Sequence, residues 1–176
     1  MITRRLKGVV EMELIAEELR LRGVELQDIA RIVLELQKPY NPKLELHDCL
    51  EAVQQVFKKR DVQYAVLTGI ALDKMAEEGL LPEPLQTIIA TDEPLYGLDE
   101  VLAYGITNIY GSIGITSFGY LDKIKPGVIG ILNDNKVNKV NTFLDDIVAG
   151  ITAAACAKLA HATTDSLLSR KSTGPA

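Results

Sequence analysis

The sequence contains no tryptophan, only two cysteines and only two histidines among its 176 residues. Cys49 and Cys156 are far apart, and each lies in an apolar stretch with helical periodicity. We therefore expect two buried, reduced thiols, and neither a disulfide nor metal ligands. His47 and His161 do not complete the ligand spacing of a usual zinc site. A zinc centre is accordingly not expected.

The chain also lacks an excess of positive charge. It has 19 basic and 24 acidic residues, so its formal net charge at neutral pH is −5. A general nucleic-acid binder needs lysine and arginine to displace counterions from phosphates. Anionic lipid headgroups would likewise repel a chain of net negative charge. The composition predicts no nucleic-acid partner and disfavours a polybasic membrane-surface protein.

Neither an export signal nor an uninterrupted transmembrane segment is recognisable. The apolar run that follows the basic residues at 1–7 is interrupted at once by Glu11 and Glu13, unlike the core of a signal peptide. Residues 102–121 carry no charge over a length that could cross a bilayer. They include four glycines and several Ser, Thr and Asn residues, so we interpret them as a buried helix of a soluble protein. We expect a cytoplasmic location and no transmembrane span.

Alternating strand patterns are absent, and helical periodicity dominates the chain. We predict an all-α fold with six to eight helices in a single domain over residues 1–168, since chains usually divide only beyond about 250 residues. A flexible tail is expected at 169–176. The Gly-rich segment 98–122, which is charge-free between its acidic ends, is expected to form a central helix that the others surround, next to an Ala-rich helix at 142–169.

Paired acidic residues begin both of these helices. Asp99 and Glu100 begin the Gly-rich helix, and Asp145 and Asp146 begin the Ala-rich one. One carboxylate is enough to cap a helix N-terminus, where the helix dipole favours negative charge. Burying several carboxylates together costs free energy unless a cation neutralises them. Mg²⁺ fits this role, because it prefers oxygen ligands and works with phosphates.

A further carboxylate and a lysine lie near the end of the Gly-rich helix. Asp122 adds a possible ligand, and Lys125, directly before Pro126, adds a compact positive charge. Carboxylates, Mg²⁺ and a lysine together are typical of a site that handles phosphate. Helix capping and surface salt bridges are the alternative explanation, which the residues alone leave open.

At these residues the sequence resembles the phosphatidylglycerophosphatase A family, in its soluble, YutG-like, low-temperature-requirement C type branch. Three blocks carry the resemblance, namely LDEV at 98–101, YLDKIKPGVI at 120–129 and FLDDIVAG at 143–150. They are similar, in order and spacing, to the family's apolar-Asp-Glu-apolar, LDxxKPxPI and MxDDxxAG elements. The sequence departs from the family in lacking the Gly-rich PGTxGS block of the membrane-bound members and in having Val128 at the second proline of KPxP.

The resemblance implies a Mg²⁺-dependent phosphatase that hydrolyses a phosphomonoester. The substrate it suggests is phosphatidylglycerophosphate, converted to phosphatidylglycerol in phospholipid biosynthesis. Four carboxylates would be metal ligands, namely Asp99, Glu100, Asp145 and Asp146. Five residues would be catalytic, namely Asp99, Glu100, Asp122, Lys125 and Asp146.

The partner of such an enzyme would be a phosphate-bearing small molecule or a phospholipid head group. A lipid substrate would bring the protein transiently to the membrane surface, and a homo-oligomer is left open. An alternative from another class is a non-enzymatic helical protein that keeps a degenerate acidic pocket in a structural or ligand-sensing role. Release of phosphate with Mg²⁺, lost on chelation, distinguishes the two.

Overall fold

The computed structural model describes residues 12–135 and 139–172, with side chains as far as residue 162. Within these ranges the fold is a single all-helical domain without strands, which confirms the predicted fold class. One 3-10 turn, Asn108–Tyr110, and nine α-helices form it: α1 (Met12–Leu21), α2 (Leu26–Gln37), α3 (Leu46–Phe57), α4 (Arg60–Glu77), α5 (Leu85–Ala90), α6 (Leu98–Thr107), α7 (Gly111–Ile124), α8 (Val128–Asp134) and α9 (Leu144–Ser172).

The Ala-rich helix α9 lies at the centre of the molecule. Every residue from 141 to 157 is buried, and α2, α3, α4, α6, α7 and α8 all pack against α9. A surrounded helix has no polar face, and its small side chains let the neighbouring helices approach closely. At Gly150, an added Cβ would lie 3.1 Å from the carbonyl oxygen of Ala103. The absence of a side chain there allows α6 to lie directly against α9.

The Gly-rich segment differs from the central helix expected over 98–122. It forms α6 and α7, which are separated by the 3-10 turn; α7 begins at Gly111, whose φ of 72° lies in the left-handed region that favours glycine. Val101, Tyr104 and Tyr120 are exposed, so the two helices cover α9 from one side. Glycine occurs both inside helices and at sharp turns, and the hydrophobic periodicity therefore does not show the break.

A second sharp turn ends α7 and leads into α8. Lys125 has φ 42° and ψ 61°, and its N–H donates to the carbonyl of Leu121 at 2.8 Å. Such a left-handed residue is a common way to end a helix, although glycine usually occupies it. The backbone here turns the Lys125 side chain away from the course of the helix and towards the start of α9, where its partners lie.

No helix in the described ranges is both long enough and apolar enough to span a membrane. Cys49 and Cys156 are free and buried, as the sequence predicts. The basic residues at 1–7 lie outside the described residues. Helix α9 continues to Ser172, into the segment expected to be a flexible tail, and the remaining four residues lie outside the described ranges.

Candidate active site

An open cleft lies where the first turns of α6 and α9 meet the last turn of α7 and the loop that precedes α6. Among the described residues, one lysine and seven acidic residues line it: Lys125, Asp92, Glu93, Asp99, Glu100, Asp122, Asp145 and Asp146. The structure therefore brings all six residues predicted from the sequence to one cleft. They come from three separate blocks of the sequence.

Lys125 lies among three of these carboxylates. Its Nζ is 3.0 Å from Oδ1 of Asp122, 2.9 Å from Oδ2 of Asp145 and 3.8 Å from Oδ1 of Asp146. Burial lowers the pKa of the ammonium, but the charge of Asp145 and the hydrogen bonds to Asp145 and Asp122 outweigh this effect, so the pKa lies above its ordinary value. The lysine is a permanent positive charge in the cleft. Lys123, by contrast, is exposed.

Asp145 and Asp146 are the most buried acids of the cleft, at 6% and 4% exposed. Burial and the charge of Asp145 raise the pKa of Asp146 to about 9, against the opposing effect of Lys125. Burial also raises the pKa of Asp145, which the charge and hydrogen bond of Lys125 partly offset. One ammonium does not balance this pair, so the pair retains a proton near neutral pH unless more positive charge is present.

Asp99 and Glu100 form the opposite wall of the cleft, in the first turn of α6. Oδ1 of Asp99 accepts the N–H of Glu100 at 2.9 Å, as expected for an acid at a helix start. Burial raises the pKa of Asp99, and the charges of Asp92 and Asp122 act in the same direction. Burial, followed by the charges of Asp122 and Asp99, likewise raises the pKa of Glu100. Acidic side chains with raised pKa values therefore lie on both walls of the cleft.

The residues of the cleft fit Mg²⁺ in donor chemistry and in charge. All of the candidate ligands are carboxylate oxygens, and their excess over one ammonium favours a divalent cation. Among the described residues, no three potential ligands are grouped closely enough to hold a metal ion as they stand. Binding of Mg²⁺ would thus require the carboxylate side chains to turn towards a shared point.

Buried polar side chains that were not among the residues predicted from the sequence hold the segment that leads into α9. Arg22 is 6% exposed, donates to Oδ1 of Asn141 at 2.8 Å and pairs with Glu77 at 2.8 Å. Glu77 in turn accepts the N–H of Val140 at 2.7 Å. In the sequence, Arg22 is one basic residue among several beside a glycine turn, so its spacing gives no signal of this role.

Asp73 on α4 is a second residue that the sequence analysis missed. It is fully buried, and its two carboxylate oxygens accept the N–H of Phe143 at 3.1 Å and that of Leu144 at 3.0 Å. Burial raises its pKa to about 8, although these N–H groups and Arg22 act in the opposite direction. A signal was available, because Asp73 lies on the same helical face as the buried Ile70, where an acid needs a partner.

The family model for phosphatidylglycerophosphatase A matches residues 24–161. This range contains the three sequence blocks and all six predicted residues of the cleft. The chain belongs to the phosphatidylglycerophosphatase A family. The resemblance inferred from the three blocks is thereby confirmed.

Comparisons with individual proteins place the chain in the YutG-like branch. It is 53% identical over 154 residues to the uncharacterized protein YpjQ of Bacillus subtilis, covering 88% of this chain and 86% of YpjQ. It is 56% identical over 140 residues to the uncharacterized protein YutG of the same bacterium, covering 80% and 84%. The crystal structure of the low temperature requirement C protein from Listeria monocytogenes matches with a TM-score of 0.85 at 53% identity, covering 90% of this chain and 99% of that one.

Proposed function

We propose that the protein is a Mg²⁺-dependent phosphatase that hydrolyses a phosphomonoester. The observation that supports this best is the position of Lys125 between Asp122 and Asp145, in a cleft whose other charged side chains, among the described residues, are acids. A cleft with this composition suits a phosphate group that arrives with a divalent cation. Membership of the phosphatidylglycerophosphatase A family supports the same class of reaction.

The proposal gives each cleft residue a role. Four carboxylates would hold the ion, namely Asp99, Glu100, Asp145 and Asp146. When bound, Mg²⁺ would polarise the phosphoryl oxygens and make water more acidic. Asp122, outside this ligand set, would accept the proton of the attacking water. Lys125 would offset the negative charge that grows on the phosphoryl group as it is transferred.

The substrate that the family description suggests is phosphatidylglycerophosphate, with phosphatidylglycerol as the product. A water-soluble phosphate ester presents the same phosphomonoester to the cleft. The two differ in the apolar part of the molecule, so a substrate panel that contains both separates them.

The test measures release of inorganic phosphate by the purified full-length chain. Phosphatidylglycerophosphate in mixed micelles and a set of soluble phosphomonoesters, including glycerol 3-phosphate, are supplied with Mg²⁺. We expect release from at least one of them, its loss with EDTA, and its recovery when Mg²⁺ is added in excess. The Asp146→Asn variant is the matched negative control. Release that is unchanged by EDTA, or equal in this variant, contradicts the proposal.

A non-enzymatic function is the second candidate. The observation that favours it is that no three carboxylates of the described chain are grouped as a metal site, while Lys125 already pairs with two of them. Such a protein would bind a phosphate-bearing ligand in the cleft without hydrolysing it. Calorimetric binding of substrate with no phosphate release over hours would support this candidate and reject the phosphatase.

A further inference from the structure

The side chains of the residues just before α9 do not cap the N-terminus of this helix, which carries Asp145 and Asp146; the backbone carbonyl of Asn141 accepts the N–H of Asp145 at 3.4 Å. The first N–H groups of a helix need partners from outside it, and a nearby Ser, Thr, Asp or Asn commonly provides one. Two such residues precede α9, but both are engaged elsewhere. The Asn141 side chain contacts Arg22 and the carbonyl of Leu132, and the Thr142 hydroxyl donates to the carbonyl of Ile89 at 2.7 Å.

Asp73 supplies the acceptor instead, from α4 and 70 residues earlier in the chain. Its carboxylate accepts the N–H of Phe143 with one oxygen and that of Leu144 with the other. Gly69 lies one turn earlier on the same face of α4, and an added Cβ there would lie 3.0 Å from Cβ of Phe143. The missing side chain at Gly69 therefore allows α4 to come close enough for Asp73 to reach the backbone of α9.

A cap from another helix also fixes the position of one helix relative to the other, which a local cap cannot do. A local Ser or Asn cap accepts the N–H of the second or third helical residue, without the cost of burying a carboxylate. The carboxylate of Asp73 fixes the first turn of α9 relative to α4, and α4 also packs against α6. The first turn of α9 and the helix α6, which carries Asp99, are thus both held against α4.

We propose that Asp73 is a positioning residue, which fixes the first turn of α9 so that Asp145 and Asp146 can bind a cation together with the acids of α6. This inference rests on the proposed function, because it takes these carboxylates to be Mg²⁺ ligands. Asp73 itself is buried behind the cleft and does not line it. Its effect on the ion is exerted through the backbone of Phe143 and Leu144.

The test uses Asp73→Asn in the full-length chain. Asparagine keeps the size of the side chain and one acceptor oxygen, but its amide group turns a donor towards one of the two N–H groups. Mg²⁺ affinity is measured by calorimetry and Mn²⁺ affinity by electron paramagnetic resonance, well below the unfolding temperature and at a pH above 8, where the Asp73 carboxyl group is ionised. We expect both affinities to fall by about 10- to 100-fold, as for other groups that orient metal ligands. The far-ultraviolet circular dichroism spectrum should be unchanged.

Gln63→Met provides the matched control. Gln63 is also buried on α4, and its amide donates to the carbonyl of Phe57, at the end of α3, at 2.8 Å. This substitution also removes a buried hydrogen bond of α4 but leaves the cap on α9 intact. It should lower the unfolding temperature without a change in metal affinity. Equal losses of affinity in both variants would reduce the role of Asp73 to general stability and overturn the inference.

A second measurement does not depend on the variant being folded. In the wild-type protein, hydrogen exchange at the Phe143 and Leu144 amides should slow severalfold on addition of Mg²⁺, because ligation and the cap act on the same helical turn. Unchanged exchange at saturating Mg²⁺ overturns the inference. If the wild-type protein binds neither ion, the proposed function fails and this inference fails with it. If the wild type binds and Asp73→Asn binds equally well, only the positioning role is rejected.

Discussion

The ammonium of Lys125 lies 2.9 Å from Oδ2 of Asp145, a residue 20 positions later on a different helix. Two backbone features bring them together, namely the left-handed conformation of Lys125 at the end of α7 and the capped start of α9. The pair joins two of the three sequence blocks that carry the resemblance to the family. It also places a fixed positive charge beside the most buried acids of the cleft.

Lys125→Met should be folded and nearly inactive. If Lys125 contacts the transferring phosphoryl group, its removal should lower the rate about 100-fold or more, which corresponds to about 3 kcal/mol of activation free energy. A lysine that only interacts with the helix dipole contributes about 1 kcal/mol or less, and to stability alone. The measurement is kcat with the best substrate of the panel at saturating Mg²⁺, together with the unfolding temperature.

Lys123→Met is the matched control for this prediction. Lys123 lies two residues earlier, in the last turn of α7, and is exposed, whereas the left-handed backbone at Lys125 directs that side chain to Asp122 and Asp145. Its removal should leave kcat within a few-fold of the wild-type value. Equal losses of rate in both variants would show that the phosphate does not bind next to Lys125.

Asp145→Asn and Asp146→Asn should each lose activity without losing the fold. Removing one of two buried, mutually repelling carboxylates relieves repulsion, so the unfolding temperature without metal should stay the same or rise. Mg²⁺ affinity should fall in both variants, because a ligand is lost. Thermal denaturation and calorimetry are the measurements. A variant that unfolds, or one with full activity, would remove that aspartate from the ligand set.

The stability of the metal-free protein should fall as the pH rises from 6 to 9. The folded-state pKa of Asp146 is about 9 and that of Asp73 about 8, whereas an ordinary aspartate has a pKa of about 4. The folded protein therefore holds protons that the unfolded chain has already released, and this contribution to stability is lost as the pH rises through the folded-state pKa values.

This pH effect is measured as the unfolding temperature in EDTA, which we expect to be lower by about 3 °C or more at pH 9 than at pH 6. Asp146→Asn should flatten the profile, since one of the two titrating groups is absent. Mg²⁺ should raise the unfolding temperature most at the high-pH end, because it binds the deprotonated carboxylates. An unfolding temperature that rises with pH in EDTA contradicts the assignment of these groups.

Helix periodicity predicted the fold class because each helix has an apolar face that points to one core. It could not show that α9 is central and that the Gly-rich segment is broken at Gly111. A charge-free helix is compatible both with a buried position and with a half-exposed one, and the exposed Val101 and Tyr120 show the second case. The deciding quantity is the space left by neighbouring helices, which depends on contacts distant in sequence.

The six cleft residues could be predicted because acidic pairs and a Lys-Pro step are visible locally. Asp73 and Arg22 could not be assigned in the same way. Their partners are backbone groups, the amide of Asn141 and the carboxylate of Glu77, all more than 50 residues away in the sequence. Backbone acceptors and donors carry no residue-type signal, so nothing at Phe143 or Leu144 indicates that a buried carboxylate contacts them.

The contact between α6 and α9 can be tested with a pair of glycine substitutions. At Gly150, a Cβ would lie 3.1 Å from the carbonyl oxygen and 3.3 Å from Cβ of Ala103, so Gly150→Ala has to push the two helices apart. We expect it to destabilise the protein by about 1–3 kcal/mol.

At Gly105, also helical, a Cβ meets nothing within 4 Å. Gly105→Ala should therefore stabilise the protein by about 0.5–1 kcal/mol, since alanine loses less backbone entropy on folding. Urea denaturation of both variants measures the difference, and opposite signs are required. Destabilisation by Gly105→Ala would indicate that its outer face is covered, whereas a neutral Gly150→Ala would show that α6 is not held tightly against the central helix.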